Sequence, residues 1–180
     1  MKVSKSKILV LGPQKAGKTT ISNYLADSLE SQYGYRPTKG VRIVEFESND
    51  LELKGQKIDA DVELWDCSGD EKYNKCWPAL GDGTHGVILV ASPERHTGDD
   101  LIPWEREFIE RGDIPMNRVL LVLLDTDQTA TNHSAISEFR VPSSLNGVHC
   151  VAASLPKDGD TLRLEFNSFL VAVISQVHDK

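Results

Sequence analysis

The sequence is poor in cysteine and in aromatic residues, and it has no long apolar run. It contains three cysteines, Cys67, Cys76 and Cys150, and aromatic residues make up 7% of its 180 residues. The cysteines form no CxxC pair and no cysteine–histidine cluster at zinc-binding spacing, which argues against a structural zinc site. No apolar run approaches the roughly 18 residues that a transmembrane helix needs, so we expect no membrane-spanning segment.

Signals for export and for lipid attachment are also missing. The basic, briefly apolar start of the sequence runs into a glycine-rich motif without a small-residue cleavage site. Lys2 stands where N-myristoylation requires glycine, and the final residues, SQVHDK, carry no prenylation signal. The formal net charge of −7 disfavours nucleic acid and anionic membranes as partners. We therefore expect an intracellular protein with reduced thiols, no direct membrane anchor and no nucleic-acid partner.

Apolar strand patterns alternate with amphipathic helix patterns along the chain. The length fits one domain that spans residues 1–180, and 39% hydrophobic residues are ample for its core. The alternation predicts an α/β fold with a mainly parallel sheet covered on both faces. Two neighbouring strands joined by a polar stretch with Lys54 and Gly55 predict one antiparallel edge. Strands are predicted at 7–11, 42–47, 58–65, 86–91, 119–124 and 147–153, and helices at 18–31, 99–111 and 161–178.

A glycine-rich motif joins the first predicted strand to the first predicted helix. Residues 12–19, GPQKAGKT, match the phosphate-loop pattern GxxxxGK[ST] in full. Glycine lets the backbone wrap closely around a phosphate, and the helix points its positive N-terminus at the same group. Lys18 is expected to reach the outer phosphates, and the Thr19 hydroxyl to hold Mg²⁺. The predicted nucleotide-binding residues of the loop are Gly12, Gln14, Lys15, Ala16, Gly17, Lys18, Thr19 and Thr20.

Two further segments fit around the same phosphates. Asp66 ends an apolar strand and begins a DxxG pattern, in which Gly69 can offer its N–H to a γ-phosphate. Thr38 lies in the loop before the second strand and can close onto Mg²⁺. Taken alone, DxxG is a weak pattern and Thr38 is an ordinary loop threonine, but the phosphate loop upstream gives both a role. Thr19, Thr38 and Asp66 are the predicted metal ligands, and Thr38 and Gly69 join the nucleotide-binding set.

These residues together resemble the Ras superfamily of small GTPases. The stretch TKGV at 38–41 is similar to the TIGV stretch of Rab proteins, and residues 65–86 are similar to the Rab segment WDTAGQ…GAHG without a gap. The stretches GVRI (40–43), WDC (65–67), CWPAL (76–80) and HGV (85–87) resemble, more closely, the Rab-like subunit of intraflagellar transport complex B. The resemblance covers the chain from about Lys7 to the C-terminal helix.

The resemblance implies a fold, cofactors, partners and a location. The fold is a three-layer P-loop NTPase G-domain with a six-stranded, mainly parallel sheet and one antiparallel edge strand. The cofactors are GTP or GDP and Mg²⁺. The partners are coiled-coil subunits of intraflagellar transport complex B, with the chain monomeric outside the complex. The location is the cytoplasm, the cilium or flagellum and its basal body.

The position that usually carries the catalytic glutamine departs from the family pattern. Asp70 follows the DxxG glycine, where small GTPases usually place a Gln that orients the attacking water. A carboxylate there repels the γ-phosphate and is one methylene shorter. Gln14 stands where fast hydrolysers usually carry glycine, and it either crowds the γ-phosphate or supplies the missing amide. We assign no catalytic residue, expect Asp70 and Gln14 near the γ-phosphate, and predict slow or absent GTP hydrolysis.

The base-reading motif is degenerate. The family's NKxD is replaced by Leu124, Asp125, Thr126 and Asp127, of which Asp127 can accept hydrogen bonds from guanine but not from adenine. Ser154 is the best match to the second base-contacting motif. Each lost contact costs about 1–3 kcal/mol, so two losses weaken binding by roughly two to four decades. The sequence therefore predicts weak guanine-nucleotide binding with rapid exchange, although Asp127 taken alone is also consistent with a plain loop carboxylate.

Four residues outside the pocket have a structural interpretation beside a functional one. Trp77 fits either a partner anchor or a core side chain, whereas Trp104 fits packing on a helix face. Cys67 fits a small buried hydrophobe better than a reactive thiol, and His85 fits a structural turn.

Two functions follow from the pattern and its departures. The first is a nucleotide-dependent binding module of a ciliary or flagellar transport complex. The second is a conventional cycling small GTPase that regulates vesicle or ciliary cargo traffic through an activating protein. Asp70 and Gln14 favour the first. A phosphate-loop kinase or ATPase is disfavoured, because the sequence shows neither lid arginines nor a substrate domain and Asp127 suits guanine.

Overall fold

Six strands form a single sheet. The computed structural model describes residues 2–28, 36–125, 133–155 and 157–178. The strands are β1 (Lys2–Leu11), β2 (Val41–Leu53), β3 (Gln56–Cys67), β4 (Gly86–Ala91), β5 (Val119–Asp125) and β6 (His149–Ser154). Their order across the sheet is β2-β3-β1-β4-β5-β6, and every neighbouring pair is parallel except β2 with β3. The predicted mainly parallel sheet with one antiparallel edge strand is confirmed.

Among the described residues, four α-helices lie between strands and a fifth follows the last strand. They are α1 (Lys18–Leu25), α2 (Trp77–Gly81), α3 (Ile102–Trp104), α4 (His133–Glu138) and α5 (Gly159–His178). Short 3-10 turns lie at Glu71–Cys76, Gly98–Leu101, Met116–Arg118 and Ser143–Leu145. Among the described residues, no helix is both long enough and apolar enough to cross a membrane.

The sheet separates two apolar clusters, and the central strands contribute side chains to both. On β1, Ile8 and Val10 pack into the cluster that contains α1 and α5, whereas Leu9 and Leu11 pack into the cluster that contains α2 and α3. Successive side chains of a strand point to opposite faces, so a strand covered on both sides must be apolar throughout. This burial explains why the central strands read as unbroken apolar runs.

The first helix is shorter than its sequence pattern predicts. The prediction was 18–31, but α1 ends at Leu25. Arg163 of α5 donates hydrogen bonds to the main-chain oxygens of Leu25 (3.1 Å) and Tyr24 (2.9 Å). Asp27 then adopts a φ of +50°, which is incompatible with a continuing right-handed helix. A side chain 138 positions away thus caps the carbonyl end of α1, which local periodicity cannot reveal.

The helical segment predicted at 99–111 is present but irregular. A 3-10 turn at Gly98–Leu101 leads into α3, and a π-helical turn at Glu105–Glu110 continues it. Pro103 lies in the first turn of α3, where its missing N–H needs no helical partner. Hydrogen bonds from Arg111 N to Arg106 O (3.1 Å) and from Ile114 N to Ile109 O (3.0 Å) span five residues and widen the last turns.

The edge hairpin is longer than predicted. The predicted strands 42–47 and 58–65 extend to the full lengths of β2 and β3, with a bulge between Ser48 and Leu51. Lys54 and Gly55 turn the chain with φ values of +51° and +78°, the geometry of a tight two-residue hairpin. At the other edge, β6 begins at His149 and not at Gly147, because Gly147 has a φ of +88°. Helices α2 and α4 have no predicted counterpart.

Candidate functional site

The phosphate loop connects β1 to α1 and lies tightly against β4. Gly12 has a φ of +141°, and a Cβ on it would lie 2.2 Å from the main-chain oxygen of Val90. Lys15 and Gly17 also have positive φ values, of 60° and 98°. Only glycine fits the first of these positions, because both the backbone conformation and the contact with β4 exclude a side chain. The predicted glycine-rich wrap is therefore present in the fold.

Lys18 is buried inside this loop. Its Nζ donates hydrogen bonds to the main-chain oxygens of Gly12 (2.9 Å) and Pro13 (2.7 Å). Burial lowers the pKa of the Lys18 ammonium to about 8, and the nearby Asp66 carboxylate opposes that shift. The side chain therefore places a poorly solvated cation next to the loop that is expected to hold phosphate, where anionic oxygens compensate a buried charge.

The three predicted metal ligands come together at the start of α1. The Thr19 Oγ1 donates a hydrogen bond to Oδ2 of Asp66 at 2.6 Å and lies 3.1 Å from Oγ1 of Thr38. Asp66 is fully buried at the end of β3, while Thr38 precedes β2. Hydroxyl and carboxylate oxygens are the donors that Mg²⁺ prefers, so this set fits the ion. Within the described part of the chain, no group of three or more histidine, cysteine or acidic side chains offers an alternative metal site.

Arg42 adds a charge that the sequence reading missed. It lies opposite Asp66 in the β2–β3 register, and its Nε is 3.7 Å from Oδ2 of Asp66. Its guanidinium also hydrogen-bonds to Oδ1 of Asn23 on α1. The hairpin register could have identified it, because in that register Arg42 pairs with Asp66. Arg42 thus fixes the carboxylate of the candidate metal site from the sheet edge.

The Asp70 carboxylate contacts Lys72, in the 3-10 turn that follows it. Its carboxylate accepts a hydrogen bond from the Lys72 main-chain N at 3.1 Å and pairs with Lys72 Nζ at 2.7 Å. These contacts with Lys72 hold the pKa of Asp70 below its usual value. Gly69 packs against the phosphate loop, since a Cβ on it would lie 2.4 Å from the main-chain N of Gln14. The structure thus brings Gly69 to the loop, while it engages the Asp70 carboxylate with Lys72.

His96 supports the phosphate loop from the segment after β4, and sequence reasoning did not identify it. Its Nδ1 accepts a hydrogen bond from the Ser92 main-chain N at 3.1 Å, and its Nε2 lies 3.0 Å from the main-chain oxygen of Gln14. With Nδ1 accepting, the neutral ring carries its proton on Nε2 and donates it to Gln14. The Gln14 side chain and that of the neighbouring Lys15 are exposed, as is Thr20 on α1.

The base-reading end of the site is described only in part. Asp127 lies outside the described residues. Leu124 is buried in the core at the end of β5, and its side chain has no polar group to replace the amide of the family's Asn. Asp125 and Ser154 are paired in the β5–β6 register, and the Ser154 main-chain N donates to Oδ2 of Asp158 at 2.9 Å. The carboxyl ends of β5 and β6 therefore bring Ser154 next to the strand that leads to Asp127.

The family model and the relatives that match this chain point to the same family. The family model described as the Roc domain, Ras of Complex, of DAPkinase matches residues 7–127. Intraflagellar transport associated protein 2 of Caenorhabditis elegans is 41% identical, over 94% of this chain and 79% of that protein. The intraflagellar transport protein 22 homolog of Danio rerio is 34% identical, over 97% of this chain and 93% of that protein. This chain belongs to the IFT22 family of Ras-like GTPase-domain proteins.

Solved structures of the family superpose over nearly the whole chain. The GDP-bound crystal structure of T. brucei IFT22 has a TM-score of 0.72 and 27% identity, and it covers 95% of this chain and 97% of that one. The GTP-bound crystal structure of T. brucei IFT22/74/81 has a TM-score of 0.69 and 25% identity, with 98% and 99% covered. The resemblance to the Rab-like intraflagellar transport subunit is therefore confirmed, as is the small-GTPase fold.

In this IFT22-family chain, the residues with two interpretations take structural positions. Trp77 is buried, with ring centroids 4.5 Å from Trp104 and 5.6 Å from Phe108, so it belongs to the core. Cys67 is buried, and burial raises the pKa of its thiol to about 12, which disfavours a reactive thiolate. His85 is structural but is not part of a turn: it directly precedes β4, and the Lys7 main-chain N on β1 donates a hydrogen bond to its ring Nδ1 at 2.9 Å.

Proposed function

We propose that this chain is a Rab-like, guanine-nucleotide-binding subunit of intraflagellar transport complex B, and that it acts as a binding module with weak nucleotide affinity and slow hydrolysis. The observation that carries the proposal is the meeting of Thr19, Thr38 and Asp66 beside the phosphate loop. Three segments that are distant in sequence supply one oxygen-rich site next to a buried lysine. A glycine-rich loop, a buried lysine and oxygen donors in one place are what a site for phosphate and Mg²⁺ requires.

Magnesium is proposed as the second cofactor, held by Thr19, Thr38 and Asp66. When bound, the ion would neutralise charge on the nucleotide phosphates. Asp66 supplies a buried carboxylate whose position Arg42 fixes from β2. Lys18 supplies a second positive charge from inside the loop. The loop N–H groups and the N-terminus of α1 complete an environment that favours anionic ligands.

Slow hydrolysis is proposed because the usual water-orienting amide is absent. Asp70 stands in its place, and its carboxylate is engaged by Lys72. A carboxylate held in this way neither approaches a γ-phosphate oxygen favourably nor orients a water as an amide does. The Gln14 side chain is exposed in the loop. If it supplies the missing amide, Gln14→Gly slows hydrolysis further, and if it crowds the γ-phosphate, the same variant hydrolyses GTP faster.

Partner binding is proposed to be the chain's main output. A related chain, T. brucei IFT22, occurs in a structure with IFT74 and IFT81 in its GTP-bound form. We propose that coiled-coil subunits of complex B dock on this chain, that residues 1–180 act as one G-domain, and that the chain is monomeric outside the complex. Family membership implies the cilium or flagellum, and the finer proposal is that the chain also occurs in the cytoplasm and at the basal body.

Calorimetric titration of the pure chain with GTP, GDP and ATP in the presence of Mg²⁺ tests the proposal. We expect measurable binding of GTP and GDP, no binding of ATP, and affinities about two to four decades weaker than those of small GTPases with a complete base motif. Asp127→Asn serves as the control, because it removes the carboxylate expected to accept from guanine. Equal binding of ATP and GTP, or a variant that binds as tightly as the parent, contradicts guanine recognition.

The second candidate, a conventional cycling GTPase, differs in its catalytic rate. Multiple-turnover hydrolysis of GTP by the chain separates the two functions. We expect a rate well below that of relatives that carry glutamine after the DxxG glycine, since Asp70 is paired with Lys72. A rate equal to theirs would favour the cycling enzyme.

A further inference from the structure

A pocket lies at the opposite end of the sheet from the candidate nucleotide site. It has a volume of about 540 Å³ and is bounded by α3, the π-helical turn, and the segments that lead into β5 and β6. Met116 and Ser144 on its wall precede those strands, whereas the phosphate loop and Asp66 follow the carboxyl ends of theirs. The volume is typical of a ligand-sized site. The pocket is therefore separate from the site described above.

One helical face forms most of this pocket. The residues on that face recur three or four positions apart, as side chains on one side of a helix do, and they are Ile102, Glu105, Arg106, Ile109, Glu110 and Asp113. Ile114 and Met116 add apolar surface below it. The pocket thus combines apolar walls with carboxylates, a pattern that suits a ligand with an aliphatic part and a cationic end.

Glu105 is the unusual member of this face. Only 7% of its surface is exposed, yet no hydrogen bond or ion pair among the described residues engages its carboxylate. Acidic residues are rarely exposed to so small an extent unless they are paired. Its neighbours on the face bring two more carboxylates, Glu110 and Asp113, against one guanidinium, that of the exposed Arg106. The net charge of the pocket lining is negative, and no cation among the described residues pairs with Glu105, its least exposed acidic residue.

We propose that this pocket binds an arginine side chain of a partner protein, with the guanidinium at Glu105 and the aliphatic stem against the half-buried Ile102 and Met116. Arginine fits better than lysine because its guanidinium is planar, less strongly hydrated and able to bridge two carboxylates. The π-helical turn supports the assignment, since such turns widen a helix and recur at functional sites. This docking site lies at the opposite end of the sheet from the phosphate loop.

The test is an NMR titration of the ¹⁵N-labelled full chain with n-butylguanidinium, which reproduces an arginine side chain. We expect the backbone amides of residues 102–116 to shift, with a dissociation constant of about 1–10 mM for so small a probe. The neutral analogue n-butylurea is expected to bind about tenfold more weakly, since it lacks the charge that Glu105 would pair. This comparison needs no variant, so it stands even if a substitution impairs folding.

Two variants localise the charge. Glu105→Gln keeps the shape and removes the charge, and we expect it to weaken n-butylguanidinium binding about tenfold while GDP binding is unchanged. Glu107→Gln is the matched control, because Glu107 lies on the same turn but pairs with Arg111 away from the pocket. The proposal is overturned if n-butylurea binds as tightly as n-butylguanidinium, if Glu107→Gln weakens binding as much as Glu105→Gln, or if the shifts lie outside residues 102–116.

Discussion

Oγ1 of Thr19 lies 2.6 Å from Oδ2 of Asp66, although 47 positions separate the two residues in the chain. The contact joins the first turn of α1 to the end of β3, and Thr38 approaches the same hydroxyl at 3.1 Å. Because two of the three oxygens belong to segments that bracket the edge hairpin, movement of that hairpin changes the site directly. The relationship makes Thr19 the residue through which nucleotide binding is most easily probed.

Substitution of Thr19 by alanine is expected to weaken Mg²⁺-dependent nucleotide binding. The variant loses one proposed metal ligand and the hydrogen bond to Asp66, a loss of about 1.5–3 kcal/mol, or roughly ten- to hundredfold in affinity. Titration with a fluorescent GDP analogue, with Mg²⁺ and with excess EDTA, measures the effect. Thr161→Ala, an exposed position on α5, is the control. If Thr19→Ala binds as the parent does in both conditions, the hydroxyl has no part in the site.

Replacement of Asp70 by glutamine is expected to accelerate GTP hydrolysis. The variant supplies a water-orienting amide and removes a carboxylate that pairs with Lys72 at 2.7 Å. We expect a gain of at least about tenfold in the single-turnover rate, in line with the importance of this amide in GTPases. The control is Lys72→Ala, which frees Asp70 without adding an amide and is expected to leave the rate unchanged. Equal acceleration by both variants would show that the ion pair alone limits the reaction.

Nucleotide release is expected to accelerate as the pH falls below about 6.5, the ordinary pKa of histidine. Burial is the main reason that the pKa of His96 is lowered, with Lys18 acting in the same direction and Asp100 and the hydrogen bonds to Gln14 and Ser92 opposing it. The native contacts favour the neutral ring, so their stabilisation is complete above that pH and is lost as the pH falls through the lowered pKa of the folded state. Protonation also turns Nδ1 into a donor facing the Ser92 N–H.

The release rate of a fluorescent GDP analogue between pH 5.5 and 8 measures this dependence. His96→Asn is expected to release nucleotide faster at every pH and to lose the steep acid limb, because it cannot reach the Gln14 oxygen. His149→Gln, which alters an exposed histidine paired with Glu165, is the control and is expected to behave as the parent. An acid limb that persists in His96→Asn would assign the dependence to another group.

Alanine at position 12 is expected to be far more harmful than alanine at position 147. Both glycines have positive φ values, so each substitution strains the backbone by about 1–2 kcal/mol. A Cβ on Gly12 also meets the Val90 oxygen at 2.2 Å, whereas a Cβ on Gly147 meets nothing within 4 Å. Urea denaturation is expected to give a loss above about 3 kcal/mol for Gly12→Ala only. Similar losses for the two variants would mean that the loop can move away from β4.

The elements that local sequence predicted well are those whose limits are set locally. Strand β4 coincides with its predicted bounds, because its six residues are all buried and Gly86 begins the run. There, a Cβ would meet Val173 and Phe169 of α5 at 2.8 and 2.9 Å, so the glycine also lets the side chains of that helix pack closely against β4. The phosphate loop was likewise predictable, since its glycines and its lysine act within eight residues.

The features that sequence could not predict depend on distant partners. The end of α1 is set by Arg163, and the carboxylate of Asp66 is held by Arg42 across a strand register. Likewise, His96 contacts the phosphate loop 82 positions away. A single sequence identifies residue types that suit a chemistry, but not which side chain of the opposite element meets them.

The long edge hairpin offers a way to observe this site without touching it. Strand β2 has 13 residues, so the turn at Lys54 and Gly55 lies about 40 Å from Thr38. A dye attached at that turn would report rotations of the β2–β3 hairpin and would leave the phosphate loop unmodified. Cys76 and Cys150 are exposed and would compete for a thiol-reactive label, whereas Cys67 is buried and need not be replaced. Three substitutions, removal of Cys76 and Cys150 and introduction of a cysteine at Lys54, therefore convert the chain into a single-site fluorescence sensor of its own bound state.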